Sequence, residues 1–471
     1  MVLQKNIIGK QNLHFHFEGN EDGFMLQKEI TDWCAISLNP AIEALLNEYG
    51  HTDEVIQLNE LELSVDIYDT RQWQKLLCEK IVQQIRENLE LKKNGMQVLS
   101  GSAAFLQVLI CFLKNGVLPW NAGIDSKAAF DESFEKQIAL LTVEDAKGFV
   151  DVLKDKTAVM RLSQLLGVAQ FVLFTEKILN DNRGDIKLVM MDLEKIVDAC
   201  QGSIDDQKKI YNSFMMEILA SFPEWPREGL LDKAIRRSLY QISLSPGQLK
   251  KIDVDGLGSA SLRKEILMME ENKTMGSSPA VFTSPGNIDP GIELEKGIDL
   301  EKGIDLEEGI YINNAGAVII AAFLPRLFLQ TGLVKNGRID DLPSALQLVH
   351  YCVTGDENAA EFELPLLKIL CGTALQQPIE MRSEINNTIK HEAESMLGSV
   401  IEHWDALKNT SIEGLRQSFL QRKGKLSFKN GEWMLQVETK SYDILLQQLP
   451  WNISMIKLPW MKDMLKTEWI F

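Results

Sequence analysis

What this sequence lacks narrows it most. No apolar run is long enough to cross a bilayer: the longest candidate, Ala315 to Leu324, stops at Pro325 and Arg326, about half of the roughly 20 residues a span needs. The first residues, MVLQKNIIGKQ, hold no apolar segment of the kind a secretory leader requires. Basic excess is also missing. Against 67 Asp and Glu stand 49 Lys and Arg, a net charge of −18, which repels phosphate backbones and anionic lipid and argues against nucleic acid and membrane partners. Such a charge favours solubility and neutral or basic protein partners. Cysteine is sparse, and none of Cys34, Cys78, Cys111, Cys200, Cys352 and Cys371 falls in a CxxC pair. The setting of Cys111 in Leu109-Ile110-Cys111-Phe112 points to buried free thiols in a reducing compartment. The expectation is a cytoplasmic protein, or one that leaves the cytoplasm without a leader.

Catalytic spacing is absent as well. His391-Glu392 opens like a zinc-protease helix, but residue 395 is Ser where the second His is needed. His403 lies near Glu402 and Asp405, yet a helical His beside Trp404 reads as a packed or exposed bystander rather than a general base. Gly256-Leu257-Gly258 lacks the third glycine and the preceding strand of a dinucleotide loop. His14 and His16 could share one strand face as metal ligands, but with no third ligand nearby they read as solvent-facing imidazoles. No Walker lysine loop, nucleophile elbow or cysteine-nucleophile motif occurs. The sequence therefore assigns no catalytic, cofactor-binding or metal-binding residue, and a non-enzymatic protein is expected.

What is present is apolar periodicity. With 45% apolar residues over 471, the chain can bury cores without disulfides or metals, and its length suits about three domains. Residues 1–94 predict a small two-strand, three-helix domain. Leu13, Phe15 and Phe17 alternate with His14 and His16, and Leu61, Leu63, Val65 and Ile67 alternate with polar residues, the period of a strand. Helices are expected over 22–35, from Asn39 as N-cap with Pro40 behind it, and over 70–91 from a Thr70 cap. Residues 95–244 predict a helical middle domain, opening with Ala103 to Leu113, with Thr142 and Ser203 as caps and Pro223 and Pro226 as punctuation. Residues 245–309 read as a Gly/Ser/Pro-rich acidic linker. It ends in three hexads: Ile292-Glu-Leu-Glu-Lys-Gly297, Ile298-Asp-Leu-Glu-Lys-Gly303 and Ile304-Asp-Leu-Glu-Glu-Gly309. Three hexads are too few to build a β-helix core, and a glycine every sixth residue breaks helices, so a tandem-expanded linker is expected.

Residues 310–471 organise the rest. A helix is expected from Asn313 or Asn314 to about Leu329, kinked or broken at Pro325. Others follow over 345–353, 361–372, 384–407 and from Ser411 to Gln421. Leu426 and Phe428, then Asn430-Gly431, then Trp433, Leu435 and Val437 signal a hairpin. Five of the nine tryptophans lie from Trp404 onward, which marks a committed folding unit or a docking surface. Trp451 and Trp460 each follow a proline that turns the chain back on the helices, so both are expected to be largely buried. The fold class is thus mainly α with α+β ends.

This last region resembles the tape measure protein family of contractile injection systems, which are phage-tail-like particles. The resemblance rests on Asn314-Ala-Gly-Ala317, Phe323-Leu-Pro-Arg-Leu-Phe328, His350 to Gly355, Glu363 to Gly372, Ile401 to Ser411, Gly414 to Gly424, Leu449-Pro-Trp451 and Lys457-Leu-Pro-Trp460, in that order. It reaches more weakly to the N-terminal domain and to Phe112-Leu-Lys-Asn-Gly-Val-Leu-Pro-Trp120, and does not cover the hexads. It implies a structural or assembly role in an injection particle, in tube length or in the tube lumen, with tube, baseplate or cap subunits as partners. It brings no catalytic residues. The alternative is a compact cytoplasmic assembly factor or adaptor for baseplate, cap or cargo. A fully helical chain of this length would span roughly 700 Å, whereas a helix over 70–91 gives only about 30 Å.

Overall fold

The computed structural model describes residues 6–9, 11–16, 23–49, 54–58, 61–66, 72–91, 97–142, 151–178, 184–200, 204–224, 229–241, 244–274, 306–307, 309–380 and 385–470. Thr70, Ser203, Pro226, the Gly/Ser/Pro stretch 276–286, the first two hexads and the residues just after Thr142 lie outside these. The chain divides into two compact units, one of residues 1–107 with 121–123 and one of 108–120 with 124–471. The described part is mainly α, with β structure concentrated at the C-terminal end.

In the first unit α1 (Gly23–Trp33) runs through a π-helical turn, Cys34–Leu38, into α2 (Asn39–Glu48). Asn39 is therefore helical rather than an N-cap. Pro40 explains the wide turn, because proline has no N–H to give and its ring crowds the carbonyl four residues back. α3 (Trp73–Leu91) lays Leu77, Ile81, Ile85 and Leu89 against Trp33, Leu38, Ile42 and Leu45. A bidentate Arg86–Glu48 pair closes the rim. The expected strands are not strands. Segments 11–16 and 61–66 join no ladder; instead Phe15, Leu61, Leu63 and Val65 pack on this core, and Lys80 Nζ and Gln84 Nε2 of α3 donate to the carbonyls of Asp66 and Ser64. The two-stranded sheet is made elsewhere, by β1 (Glu54–Gln57) antiparallel to β2 (Gln97–Ser100).

α4 (Gly101–Asn115) carries the chain into the second unit and ends at Gly116, whose φ is +74°. Further helices follow among the described residues, as the periodicity predicts, including α5 (Lys127–Ile138), α6 (Lys156–Leu165), α7 (Val168–Ile178), α8 (Asp185–Ala199), α9 (Ile204–Ala220) and α10 (Leu230–Gln241). Ser126 and Asp155 cap α5 and α6. Residues 245–274 are folded rather than linker. α11 (Pro246–Leu249), α12 (Ala260–Thr274) and the turns between them bury Leu249, Ile252, Leu257, Leu262, Ile266 and Met269. Burial of these apolar side chains outweighs the local glycine and serine content.

The C-terminal part opens with β3 (Ile310–Ile312) and α13 (Ala317–Ile320). A 3₁₀ turn at Ala321–Phe323 leads to α14 (Leu324–Gln330), so the chain breaks its α-helix just before Pro325, as expected. A short hairpin, β4 (Val334–Lys335) with β5 (Arg338–Ile339), turns at Asn336-Gly337, both at positive φ. α15 (Leu342–Thr354), α16 (Pro365–Leu370) and α17 (Asn387–His403) follow; α17 stops short of the expected 407 because Trp404 turns extended. After α18 (Ile412–Leu415) and a π turn comes the expected hairpin, β6 (Gly424–Lys429) and β7 (Glu432–Val437), with Asn430 and Gly431 at positive φ. With β8 (Met455–Ile456) and β9 (Leu465–Glu468) they form a five-stranded sheet in the order β3-β6-β7-β9-β8, in which only the β7–β9 pair is parallel. Leu426, Leu435 and Leu465 face the same core as α13 to α17, and Val117 joins it from the Leu-Pro-Trp phrase of the middle region.

Candidate functional site

The tryptophans show how the C-terminal part is held. Trp451 and Trp460 are half-buried rather than largely buried, and both pack against the C-terminal core. Trp451 meets Phe323 edge-on at 4.9 Å and donates its indole N–H to the Ile319 carbonyl at 2.9 Å. Trp460 stacks on Phe328 at 5.3 Å and donates to the Leu370 carbonyl at 2.7 Å. Both carbonyls lie in the last turn of a helix, where the backbone runs out of its own donors. The proline before each tryptophan thus aims an indole at a helix end. Trp404 is wholly buried, edge-on to Phe419 at 4.8 Å, and donates to the Leu445 carbonyl.

Charged residues are buried beneath these rings. Arg422 and Asp443 form a bidentate pair, 2.9 Å on both arms, with neither side chain reaching solvent. Trp469 donates to Asp443 Oδ2, and the guanidinium lies over the rings of Phe419, Tyr442 and Trp469. A second network joins the middle helices to the C-terminal part. Glu361 accepts from Arg161 Nε and, at 2.6 Å, from Lys368 Nζ. Arg161 also donates to the carbonyls of Leu113, Lys114 and Gln376, and Lys368 to those of Leu375 and Gln377. Burial pushes the Lys368 ammonium below its ordinary range, and Glu361 pulls it back only in part. Nearby, burial raises the Glu363 carboxyl, although backbone N–H groups of Ala360 and Lys127 oppose the shift. A third anchor is Arg416, which donates to the carbonyls of Tyr351 and Cys352 where α15 ends.

Each residue that sequence motifs single out has its own local setting. His14 and His16 are exposed in the first unit. His391 and His403 are exposed on α17, and His403 Nδ1 contacts only the Ser399 carbonyl of its own helix. Gly256 and Gly258 shape the turn into α12, where buried Asp192 accepts from the Ser259 N–H. Burial would raise the Asp192 carboxyl, but hydrogen bonds from Ser259, Lys195 and Gly258 outweigh it and hold it low. Among the described residues no group of His, Cys, Asp or Glu is placed to hold a metal ion, and no helix is long and apolar enough to cross a membrane. The thiols of Cys352 and Cys371 are fully enclosed, and burial pushes Cys352 up to about 12. Sequence reasoning missed His350, Lys368, Glu361, Arg161 and the Arg422–Asp443 pair. The available signal was a charge inside an apolar word, as in Leu366-Leu367-Lys368-Ile369-Leu370.

What this arrangement can do is hold a shape. Arg161 takes its carboxylate partner from a segment 200 residues away, and Trp451 and Trp460 close on helix ends. A family model described as contractile injection system tape measure protein matches residues 5–469. No curated protein and no solved structure matches the chain.

Proposed function

The chain belongs to the contractile injection system tape measure protein family, with a structural and assembly role in setting tube length, and from that premise we propose that it plays this role as a folded body docked on other subunits. The contour length of a stretched chain is not what counts in this reading. The observation that carries it is the Arg161–Glu361–Lys368 network. Its Arg161–Glu361 contact spans 200 residues, and its polar groups are satisfied only when both segments are folded together. Pulling the chain straight would strip three buried charges of their partners. The longest described helix, α3 with 19 residues, covers only about 28 Å. The partners are protein subunits of the particle, at the tube, baseplate or cap, and a charge of −18 selects neutral or basic faces on them. The protein sits in the cytoplasm during assembly and performs no bond-making step.

The test is to add or remove whole hexads within 292–309 and measure tube lengths by electron microscopy. Unchanged lengths are expected. Lengths that rise and fall with residue count would overturn the folded-body reading in favour of a ruler.

A further inference from the structure

The third hexad is partly described, and it is seated. Leu306 packs against the C-terminal core, and its carbonyl accepts from the N–H of Phe428 in β6 at 2.9 Å. Gly309 follows at φ +94°, a conformation glycine adopts freely and other residues resist. A Cβ there would lie 2.8 Å from Lys425 Cε and 3.1 Å from the Leu426 carbonyl. Ile310 is then buried opposite Leu426. The seat therefore reads a leucine, a glycine three residues on, and an isoleucine directly after. Lys425 lies beside it, opposite in charge to the acidic residues of the hexads.

That word occurs three times: Leu294-Glu-Lys-Gly297-Ile298, Leu300-Glu-Lys-Gly303-Ile304 and Leu306-Glu-Glu-Gly309-Ile310. We propose that the stretch of β6 beyond its pairing with β3, around Phe428, is a binding site for one hexad and that the three hexads are interchangeable occupants of it. The repeat is then a docking word, copied, and any copy that directly precedes β3 closes the sheet. Hexad number can change without disturbing the fold. Each added unit lengthens the chain between Thr274 and Leu306 by six residues, at most about 20 Å of reach, and closure entropy grows only slowly with such length. This inference rests on the sheet edge alone and is independent of the role proposed above.

The full-length chain tests it by thermal unfolding and by hydrogen exchange at the Phe428 amide. Deleting 304–309 puts Leu300 and Gly303 on the seat, so the unfolding midpoint and the Phe428 protection should both stay as they are. Substituting Leu306→Asp with Gly309→Val should lower the midpoint and cut that protection about tenfold or more. Leu300→Asp with Gly303→Val should be silent in the intact chain but equally damaging once 304–309 are deleted. Loss of Phe428 protection in the deletion alone would overturn the proposal. So would a Leu306→Asp/Gly309→Val chain that keeps the protection intact.

Discussion

At the scale of single residues, His350 carries the clearest pH dependence. It is buried on α15, its Nδ1 has no partner, and burial holds its pKa at about 4 against an ordinary 6.5, with Asp356 and the Asn358 backbone offsetting only part of the shift. The sign follows from which state takes the proton first. Between pH 6.5 and 4 the unfolded chain binds it and the folded chain does not, so stability is complete above 6.5 and is lost as pH falls through that window. The loss amounts to roughly 3 kcal/mol at most. Urea midpoints measured across this range for the wild type and His350→Gln should diverge, the variant giving the flatter profile. Two glycines predict opposite outcomes for one methyl group. A Cβ on Gly316 would lie 1.8 Å from the Phe419 carbonyl oxygen, so two backbones would have to part. Gly316→Ala should cost more than about 3 kcal/mol. Gly398, within α17, has open space around it, and Gly398→Ala should gain about 0.5–1 kcal/mol. Denaturant unfolding of both variants checks the contrast, which no composition argument supplies.

Between elements, the buried networks set the stakes. Glu361→Ala leaves Arg161 and Lys368 as uncompensated buried cations, and the expected loss is about 3–5 kcal/mol. Lys368→Met should cost less, because Glu361 keeps Arg161. Equal losses from the two substitutions, read from urea midpoints, would mean that the carboxylate is not the hub. The tryptophan–helix contacts give a second test. Trp451→Ala with Trp460→Ala removes one edge-on and one stacked ring contact and two hydrogen bonds to helix-end carbonyls, and the full-length chain should lose a cooperative transition near the wild-type midpoint. A normal transition would place those rings at a partner's surface instead. Local signals were legible where the deciding physics is local. Pro325 announces its break, and Asn430-Gly431 its turn. Asn336-Gly337 carries the same turn signal but joins strands of only two residues each, too short for alternation to register. The alternation at 61–66 reports one-sided burial, and it is Lys80 and Gln84 of α3, not a neighbouring strand, that satisfy the backbone there. Nothing in the words around Arg161 and Glu361 shows that they meet, because the two lie 200 positions apart and only tertiary folding brings them together.

For the whole molecule, fold and length can be varied separately, and the two accounts of tube-length control respond in opposite ways. With interchangeable hexads as proposed, hexad changes alter residue count while a copy still fills the Leu306 seat on the C-terminal core. Glu361→Ala does the reverse: the residue count stays at 471 while the join between the middle helices and the C-terminal part is broken. A ruler that works by contour length would tolerate the substitution, since a stretched chain makes no use of a buried ion network. A folded body would not, because its docking faces depend on segments that Glu361 holds together. In cells producing the Glu361→Ala chain at wild-type abundance, we therefore expect few tubes or tubes of scattered length by electron microscopy, and Lys368→Met should fall between that and the wild type. Tubes of normal, uniform length from Glu361→Ala, together with lengths that track hexad number, would assign the measurement to the chain's extent and leave its tertiary structure only a storage form.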